Sequence, residues 1–260
     1  DAISQLTAGA AYNLCFGDRA GSGITAASAT SQACLNIARN PATGALDGDP
    51  ATTRGLIIQP SNAGNILTDG IDLGVNYRRD LGVTKLNLTF QGNWTNRSRF
   101  QAAPGSNILS CVGLYGQNCG SPGSAGPSSS AGSLQPEFSW NQRTTLTFGQ
   151  VDVSLLWRHL SSMKVEPGVT TFSGTLTGGA LAGQAVNFGR IPAYNYLDLA
   201  TRFGGSDNFD LTITVTNLLD KDPPIVGGTV GSTSFNSGNT YPSTYDALGR
   251  RFSVGARIKF

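Results

Sequence analysis

Phe138-Ser139-Trp140-Asn141-Gln142-Arg143-Thr144-Thr145-Leu146-Thr147-Phe148, then Gly149-Gln150, then Val151-Asp152-Val153-Ser154-Leu155-Leu156-Trp157-Arg158 is the stretch whose reading decides the fold. In an extended chain, side chains two apart share a face. Phe138, Trp140, Leu146 and Phe148 therefore line one side of a first strand, and Val151, Val153, Leu155 and Trp157 one side of a second. Asp152, Ser154, Leu156 and Arg158 take the other side of that second strand. A two-residue connection that starts with glycine joins antiparallel strands as a hairpin.

The same period of two recurs on both sides of this hairpin, giving seven alternating segments in all. Ile71–Arg78 sets Ile71, Leu73, Val75 and Tyr77 against Asp72, Gly74, Asn76 and Arg78; Lys85–Thr95 sets Leu86, Leu88, Phe90, Gly92 and Trp94 against Lys85 and its polar neighbours. Leu197, Leu199 and Phe203 mark a fifth segment opposite Tyr194, Tyr196, Asp198 and Arg202. Phe209–Asn217 and Arg251–Phe260 complete the set, with Phe209, Leu211, Ile213, Val215 and Phe252, Val254, Ala256, Ile258, Phe260 as their apolar sides.

Alternation fits a half-buried soluble sandwich as well as a membrane wall, and the connections separate the two. Asp80–Thr84, Gly149–Gln150 and Gly204–Asn208 are short, whereas Asn96–Pro136, His159–Pro192 and Leu218–Arg250 are long, and short and long alternate along the chain. A sandwich has no reason to sort its loops, but an outer-membrane barrel does, with short periplasmic turns and long extracellular loops. With the short turns inside, Trp94, Trp140 and Trp157 fall toward the outer strand ends, and Tyr77, Phe148, Phe203, Phe209 and Phe260 toward the inner ends. Amphipathic rings at two levels are the double aromatic girdle of a lipid-facing wall.

Composition agrees and closes other routes. Charged residues are 13% of the chain against roughly 25% in average soluble domains, and 34 glycines among many serines, threonines and asparagines indicate strands and long polar loops. A net charge of +2 offers no basic surface for nucleic acid. No apolar run reaches the roughly 18 residues of a membrane helix. With His159 as the single histidine, a catalytic triad or a multi-histidine zinc site has little to build on. The chain is therefore read as a non-enzyme without metal or cofactor. Its start at Asp1 reads as a processed or truncated one.

Three patches carry a family resemblance. Asp69-Gly70-Ile71-Asp72-Leu73-Gly74-Val75-Asn76-Tyr77 resembles the strand-entry segment of TonB-dependent receptors. Asn217-Leu218-Leu219-Asp220-Lys221-Asp222-Pro223-Pro224, with Tyr245-Asp246 and Gly249 through Phe260, resembles their last hairpin. Cys34 to Gly44 is similar to an outer loop of members from sphingomonad-like bacteria. Gly255, Ile258 and Phe260, at the end of an alternating strand, resemble the C-terminal signal read by the barrel-assembly machinery. The resemblance implies a plug domain inside a barrel of about 22 strands, driven by TonB and seated in the bacterial outer membrane. This sequence shows only seven clear strands, no plug and no TonB-contacting segment, and an open sheet leaves unpaired edges in lipid.

The expectation is therefore an all-β, antiparallel transmembrane β-barrel segment of about seven to eight strands. Residues 1–62 form an extracellular loop region, with room for short helices, and residues 63–260 the C-terminal strands. Its partners would be outer-membrane lipid, the plug and remaining strands of the same full-length chain, TonB through the missing N-terminal part, and the barrel-assembly machinery. The solute would be a siderophore, cobalamin or a carbohydrate. The rival is a small closed barrel with a structural or adhesive role, its eighth strand supplied by Arg54–Gln59; that stretch reads more simply as the outer extension of the first strand.

The site candidates follow from this frame. His159, Tyr194, Tyr196, Arg158 and Asp198 lie toward the outer mouth, where rings stack on a sugar or an aromatic chelator. The charges opposite the apolar stripes, from Asp72 and Arg78 to Arg202, Asp210 and Arg257, read as a solvated network on a face turned to water or to a plug. Cys15, Cys34, Cys111 and Cys119 sit outside the wall strands; an oxidising envelope favours disulfides, and among three pairings 15–34 with 111–119 closes the shortest loops.

Overall fold

The computed structural model describes residues 2–4, 12, 15, 32–58, 61–101, 108–116, 118–119, 134–206, 209–227 and 239–258. The elements in chain order are β1 (Ala2–Ser4), α1 (Gln32–Leu35), β2 (Ile37–Ala38), β3 (Gly55–Leu56), β4 (Ser61–Asp80), β5 (Lys85–Gln101), β6 (Ile108–Ser110), β7 (Leu114–Tyr115) and β8 (Phe138–Phe148). They continue with β9 (Val151–Leu160), β10 (Met163–Val165), β11 (Ser173–Thr175), β12 (Ala185–Asn187), β13 (Arg190–Ile191), β14 (Tyr194–Ser206), β15 (Phe209–Thr216) and β16 (Arg251–Ile258). Two compact units divide the chain: Asp1–Leu67 with Arg99–Leu109, and Thr68–Ser98 with Ser110–Phe260.

In the larger unit the expected meander is present. Strand order runs β4-β5-β8-β9-β14-β15-β16, each beside its sequence neighbour in the wall, and the five ladders that join β5, β8, β9, β14, β15 and β16 are antiparallel. Turn chemistry sets the short connections. Asp80 Oδ1 accepts the Gly82 N–H at 2.8 Å, and Leu81 N–H donates to the Thr84 carbonyl. Phe148 stands opposite Val151, and the intervening Gly149 holds φ at +56°, the left-handed conformation a tight hairpin demands. Among the described residues β16 pairs only with β15 and closes no ring.

Register keeps the two faces separate across the wall. Gly92 pairs Trp140, which pairs His159, which pairs Asn195; Leu146 pairs Val153, which pairs Thr201, which pairs Ile213, which pairs Val254. Exposure is inverted relative to a soluble sheet. In the interior strands Trp157 is 41% exposed and Phe203 39%, whereas Ser154 on the opposite face is 9% exposed. A one-residue slip would exchange these faces, so the consistent register over five ladders is what maintains an apolar outside.

The buried core lies in the long loops. Leu114–Tyr115 runs parallel to Met163–Val165, which runs antiparallel to Arg190–Ile191, and β11 with β12 makes a separate hairpin. Tyr115, Leu134, Met163, Ile191, Tyr194, Tyr196, Val226, Tyr241 and Tyr245 pack into one cluster drawn from all three long connections and from the start of β14. The sequence expectation treated these connections as polar loops, and their packed core is a finding of the structure.

In the smaller unit, β1 pairs with the start of β4, and β2 pairs with β3, Ile37 facing Leu56 and Ala38 facing Gly55. Asn40 organises the segment between β2 and β3: its Oδ1 accepts Ala42 N–H and Thr43 N–H, and its Nδ2 donates to the buried Thr53 hydroxyl at 3.1 Å. This corrects the expectation for Arg54–Gln59. Among its described residues, 54–58, the stretch supplies neither an outer extension of the first strand nor an eighth wall strand: Gly55 and Leu56 pair with Ile37–Ala38 in a separate two-stranded sheet. The first wall strand itself starts at Ser61.

Candidate functional site

On the polar face, neighbouring strands are tied by side-chain bonds in place of apolar packing. Thr147 donates to Asp152 at 2.6 Å, Arg143 donates to the Ser154 hydroxyl at 3.2 Å, and Thr145 and Ser154 share a bond of 3.0 Å. Arg202 bridges Asp210 at 2.8 Å and Asp152 at 3.4 Å, and Asn93 donates to Asp72 at 2.7 Å. Opposite charges on adjacent strands within one face satisfy one another here. A groove of about 390 Å³ crosses this face, with Asp72, Gln91, Asn93, Ser139 and Asn141 among its lining residues.

Toward the loop end this lattice becomes the support of the loop core. Arg158 donates Nε to Asp198 at 2.8 Å and Nη2 to its other oxygen at 3.0 Å, the bidentate geometry that guanidinium and carboxylate favour. Asp198 also accepts the Asn217 N–H at 2.8 Å. Asn217 is fully buried with φ at +53°; its side chain accepts the Lys221 N–H and donates to the Lys221 carbonyl, closing the turn after β15. The Arg158 guanidinium lies 5.0 Å from the Tyr196 ring centre, and Lys221 Nζ lies 4.3 Å from that of Tyr194. The Tyr196 hydroxyl accepts the Asp246 N–H at 3.2 Å, and Asp246 in turn pairs with Arg251 at 3.1 Å.

The five outer-mouth candidates thus divide. Arg158, Asp198, Tyr194 and Tyr196 come together on the polar face, and both tyrosines are buried beneath the loops. His159 is on the apolar face, stacked on Trp140 with ring centres 5.2 Å apart and bonded through Nδ1 to Asn195 at 2.8 Å. The strand alternation that runs Val151, Val153, Leu155, Trp157 reaches His159 next. Trp140 and Trp157 meet edge to face at 4.8 Å on that same apolar side.

Several residues outside the expected set build the loop core. Glu166 is 6% exposed and accepts the Asn118 N–H with both carboxylate oxygens, at 3.1 and 3.2 Å. Gly116 faces this carboxylate so closely that any side chain there would collide with it. The Tyr115 hydroxyl donates to the Phe188 carbonyl at 2.6 Å. Burial pushes the Tyr115 hydroxyl up to about 12 and drives those of Tyr241 and Tyr245 higher still. Disulfides join Cys15 to Cys34 and Cys111 to Cys119, the second flanking Tyr115 and Gly116. At the base of the last loop, the Arg250 N–H and guanidinium hold the Asp220 carboxyl below its ordinary range. Of the assembly-signal residues, Gly255 and Ile258 lie in β16 with Ile258 opposite Phe209, while Phe260 falls outside the described residues.

The architecture is similar to that of several solved receptors. The ferric enterobactin receptor PfeA of Pseudomonas aeruginosa matches at 15% identity with a TM-score of 0.49, over 82% of this chain and 25% of that one. The siderophore receptor PirA of Acinetobacter baumannii matches at 16% identity and a TM-score of 0.46, over 85% and 25%. The iron transporter FrpB of Neisseria meningitidis matches at 14% and 0.41, over 86% and 27%. The chain spans about a quarter of the length of each. No family model matches it, and no curated protein does.

Proposed function

We propose that this chain is the C-terminal barrel portion of a TonB-dependent receptor in the bacterial outer membrane. The observation that carries the proposal is the inverted wall: exposed Trp157, Phe203 and Ile213 on one face, hydrogen-bonded Ser154, Asp198 and Asp210 on the other. An exposed apolar band flanked by aromatic side chains is stable against lipid and unstable in water. The polar face is then the lumen wall, where a plug from the same full-length chain would dock on the Arg202–Asp152–Asp210 lattice and its neighbours. The long connections are extracellular and the short turns periplasmic.

In this role the chain needs no catalytic residue. It supplies a rigid wall and a preformed outer mouth, while work enters through TonB and the plug. The solute, a siderophore, cobalamin or a carbohydrate, meets the exposed rim of the loop core, and Arg158, Asp198, Tyr194 and Tyr196 act on it indirectly by holding those loops in place.

The test is the size and location of the native polypeptide, read by immunoblot of an outer-membrane fraction with antibody against residues 248–260. The proposal expects a membrane band several times heavier than the 27.0 kDa of this chain. A membrane band near that mass overturns the receptor in favour of a small closed barrel, and a soluble band overturns both.

A further inference from the structure

Cations gather without anions at the short turn between β4 and β5. Arg78, Arg79, Asp80, Lys85, Asn87 and Thr147 line a cavity of about 230 Å³ there. The hairpin brings them together: Leu81 N–H donates to the Thr84 carbonyl, and Lys85 stands opposite Thr147 on the next strand. Among the described residues, Arg78, Arg79 and Lys85 have no hydrogen bond or ion pair. Elsewhere on the wall Arg97, Arg158 and Arg202 each pair with an aspartate. Asp80 is engaged with the turn, its Oδ1 accepting the Gly82 N–H at 2.8 Å. The carboxylate beyond Thr147, Asp152, is already held by Thr147 and Arg202. The lining therefore sets three positive groups against one negative, a surplus of two charges. The Asn87 side-chain oxygen is also buried without a partner among the described residues.

Cations sharing one cavity repel one another, and an anion that bridges them removes that cost. A carboxylate or a phosphodiester neutralises one charge of the surplus. A phosphomonoester carries close to two charges at neutral pH and presents three oxygens, which guanidinium forks engage in pairs. A hydroxyl on the same ligand supplies the hydrogen that the Asn87 oxygen lacks. We propose that Arg78, Arg79 and Lys85 bind a phosphomonoester at the short-turn end of the wall. Two sources share this chemistry: the headgroup of a phosphatidic acid in the membrane, and a free phosphate ester in the water beside it. Both reach the hairpin end. Arg79 continues the apolar parity of Ile71, Leu73, Val75 and Tyr77, one step past a girdle ring, and Lys85 stands on the polar side with Thr147. The lipid source rests on the reading of the short turns as periplasmic.

The experiment has two arms, both on the full-length protein. In nanodiscs containing phosphatidic acid, phosphatidylglycerol and phosphatidylcholine with the same acyl chains, retained lipid is counted by native mass spectrometry. In detergent, glycerol 3-phosphate and acetate are titrated by calorimetry. Wild type should prefer phosphatidic acid over phosphatidylglycerol, or glycerol 3-phosphate over acetate, by about fivefold, the ratio expected of one further matched charge. The first result assigns the site to lipid and the second to a free ester. Arg79→Gln and Lys85→Gln should each weaken monoester binding about fivefold, whereas Lys164→Gln combined with Arg190→Gln, which removes two exposed cations from the loop region, should leave it unchanged. No monoester preference in either arm, site variants that keep the full preference, or a loop-region variant that loses as much would each overturn the proposal. Heat-modifiable gel mobility verifies that each variant is folded. A protein that enters the discs and binds no monoester defeats this inference alone; one that stays in water and binds glycerol 3-phosphate keeps the site and defeats the membrane reading.

Discussion

Arg158 and Asp198 form a two-bond ion pair across β9 and β14, and the same Asp198 oxygen that takes Arg158 Nη2 also takes the Asn217 N–H. One carboxylate therefore joins the wall to the turn that launches the last long loop. Asp198 has a side-chain exposure of 14% and Arg158 of 32%, so screening by water is partial. Asp198→Asn should cost about 1–3 kcal/mol, below the roughly 3–5 kcal/mol of breaking a fully buried pair. The urea midpoint should fall, and proteolysis between residues 217 and 250 should quicken. Adding Arg158→Met to Asp198→Asn should recover part of the loss, because no unpaired charge remains and the amide oxygen still accepts the Asn217 N–H.

Tyr245 separates packing from hydrogen bonding in the loop core. Its side chain is 1% exposed, it meets Tyr194 edge to face at 5.1 Å, and its hydroxyl has no hydrogen-bond partner among the described residues. Tyr245→Phe should leave stability unchanged or raise it slightly, since it removes an unsatisfied polar atom. Tyr245→Ala should lower stability by about 3–5 kcal/mol through the cavity it opens. Thermal unfolding followed by near-ultraviolet circular dichroism distinguishes the two.

The same core sets a limit at alkaline pH. Tyr115, Tyr241 and Tyr245 have raised values in the folded chain, so below the ordinary tyrosine value of about 10 the folded and unfolded states bind equal protons. Above it only the unfolded chain releases them, and stability falls as pH rises. Tyrosinate absorbance should therefore lag behind that of free tyrosine, then climb together with loss of near-ultraviolet dichroism. A smooth titration centred near 10 would contradict the buried core.

Cys111–Cys119 closes a short loop around Tyr115, Gly116 and Asn118, which face Glu166. Replacing both cysteines by serine should destabilise this segment by about 2–3 kcal/mol. Hydrogen exchange should show faster exchange at residues 111–119 and at Glu166, with the ladders of β9, β14 and β15 unchanged.

The wall was legible because a two-residue period leaves its mark at every position: Ile213 and Thr214 differ in polarity as their faces differ. Short turns were legible for a similar reason, since Gly149 and Asp80 belong to residue types that tight turns require. The same parity, counted one residue further, would have placed His159 beside Trp157. The loop core was hidden because its strands are two or three residues long and its tyrosines, at 115, 194, 196, 241 and 245, come from separate segments that no periodicity links. The Ile37–Ala38 ladder with Gly55–Leu56 was hidden for the same reason: the apolar run in Arg54–Gln59 is too short to reveal its partner and reads as an outer extension of the first strand.

The central claim is that one face of this sheet meets lipid and the other water, and β15 tests it most directly. Single cysteines at Leu211, Thr212, Ile213, Thr214 and Val215 in the full-length protein, otherwise free of reactive thiols, would be spin-labelled in bilayers and challenged with oxygen and with a water-soluble nickel chelate. Oxygen should dominate at 211, 213 and 215 and the chelate at 212 and 214, with the two accessibilities out of phase at a period of two. Uniform access for the chelate along all five positions would contradict the account.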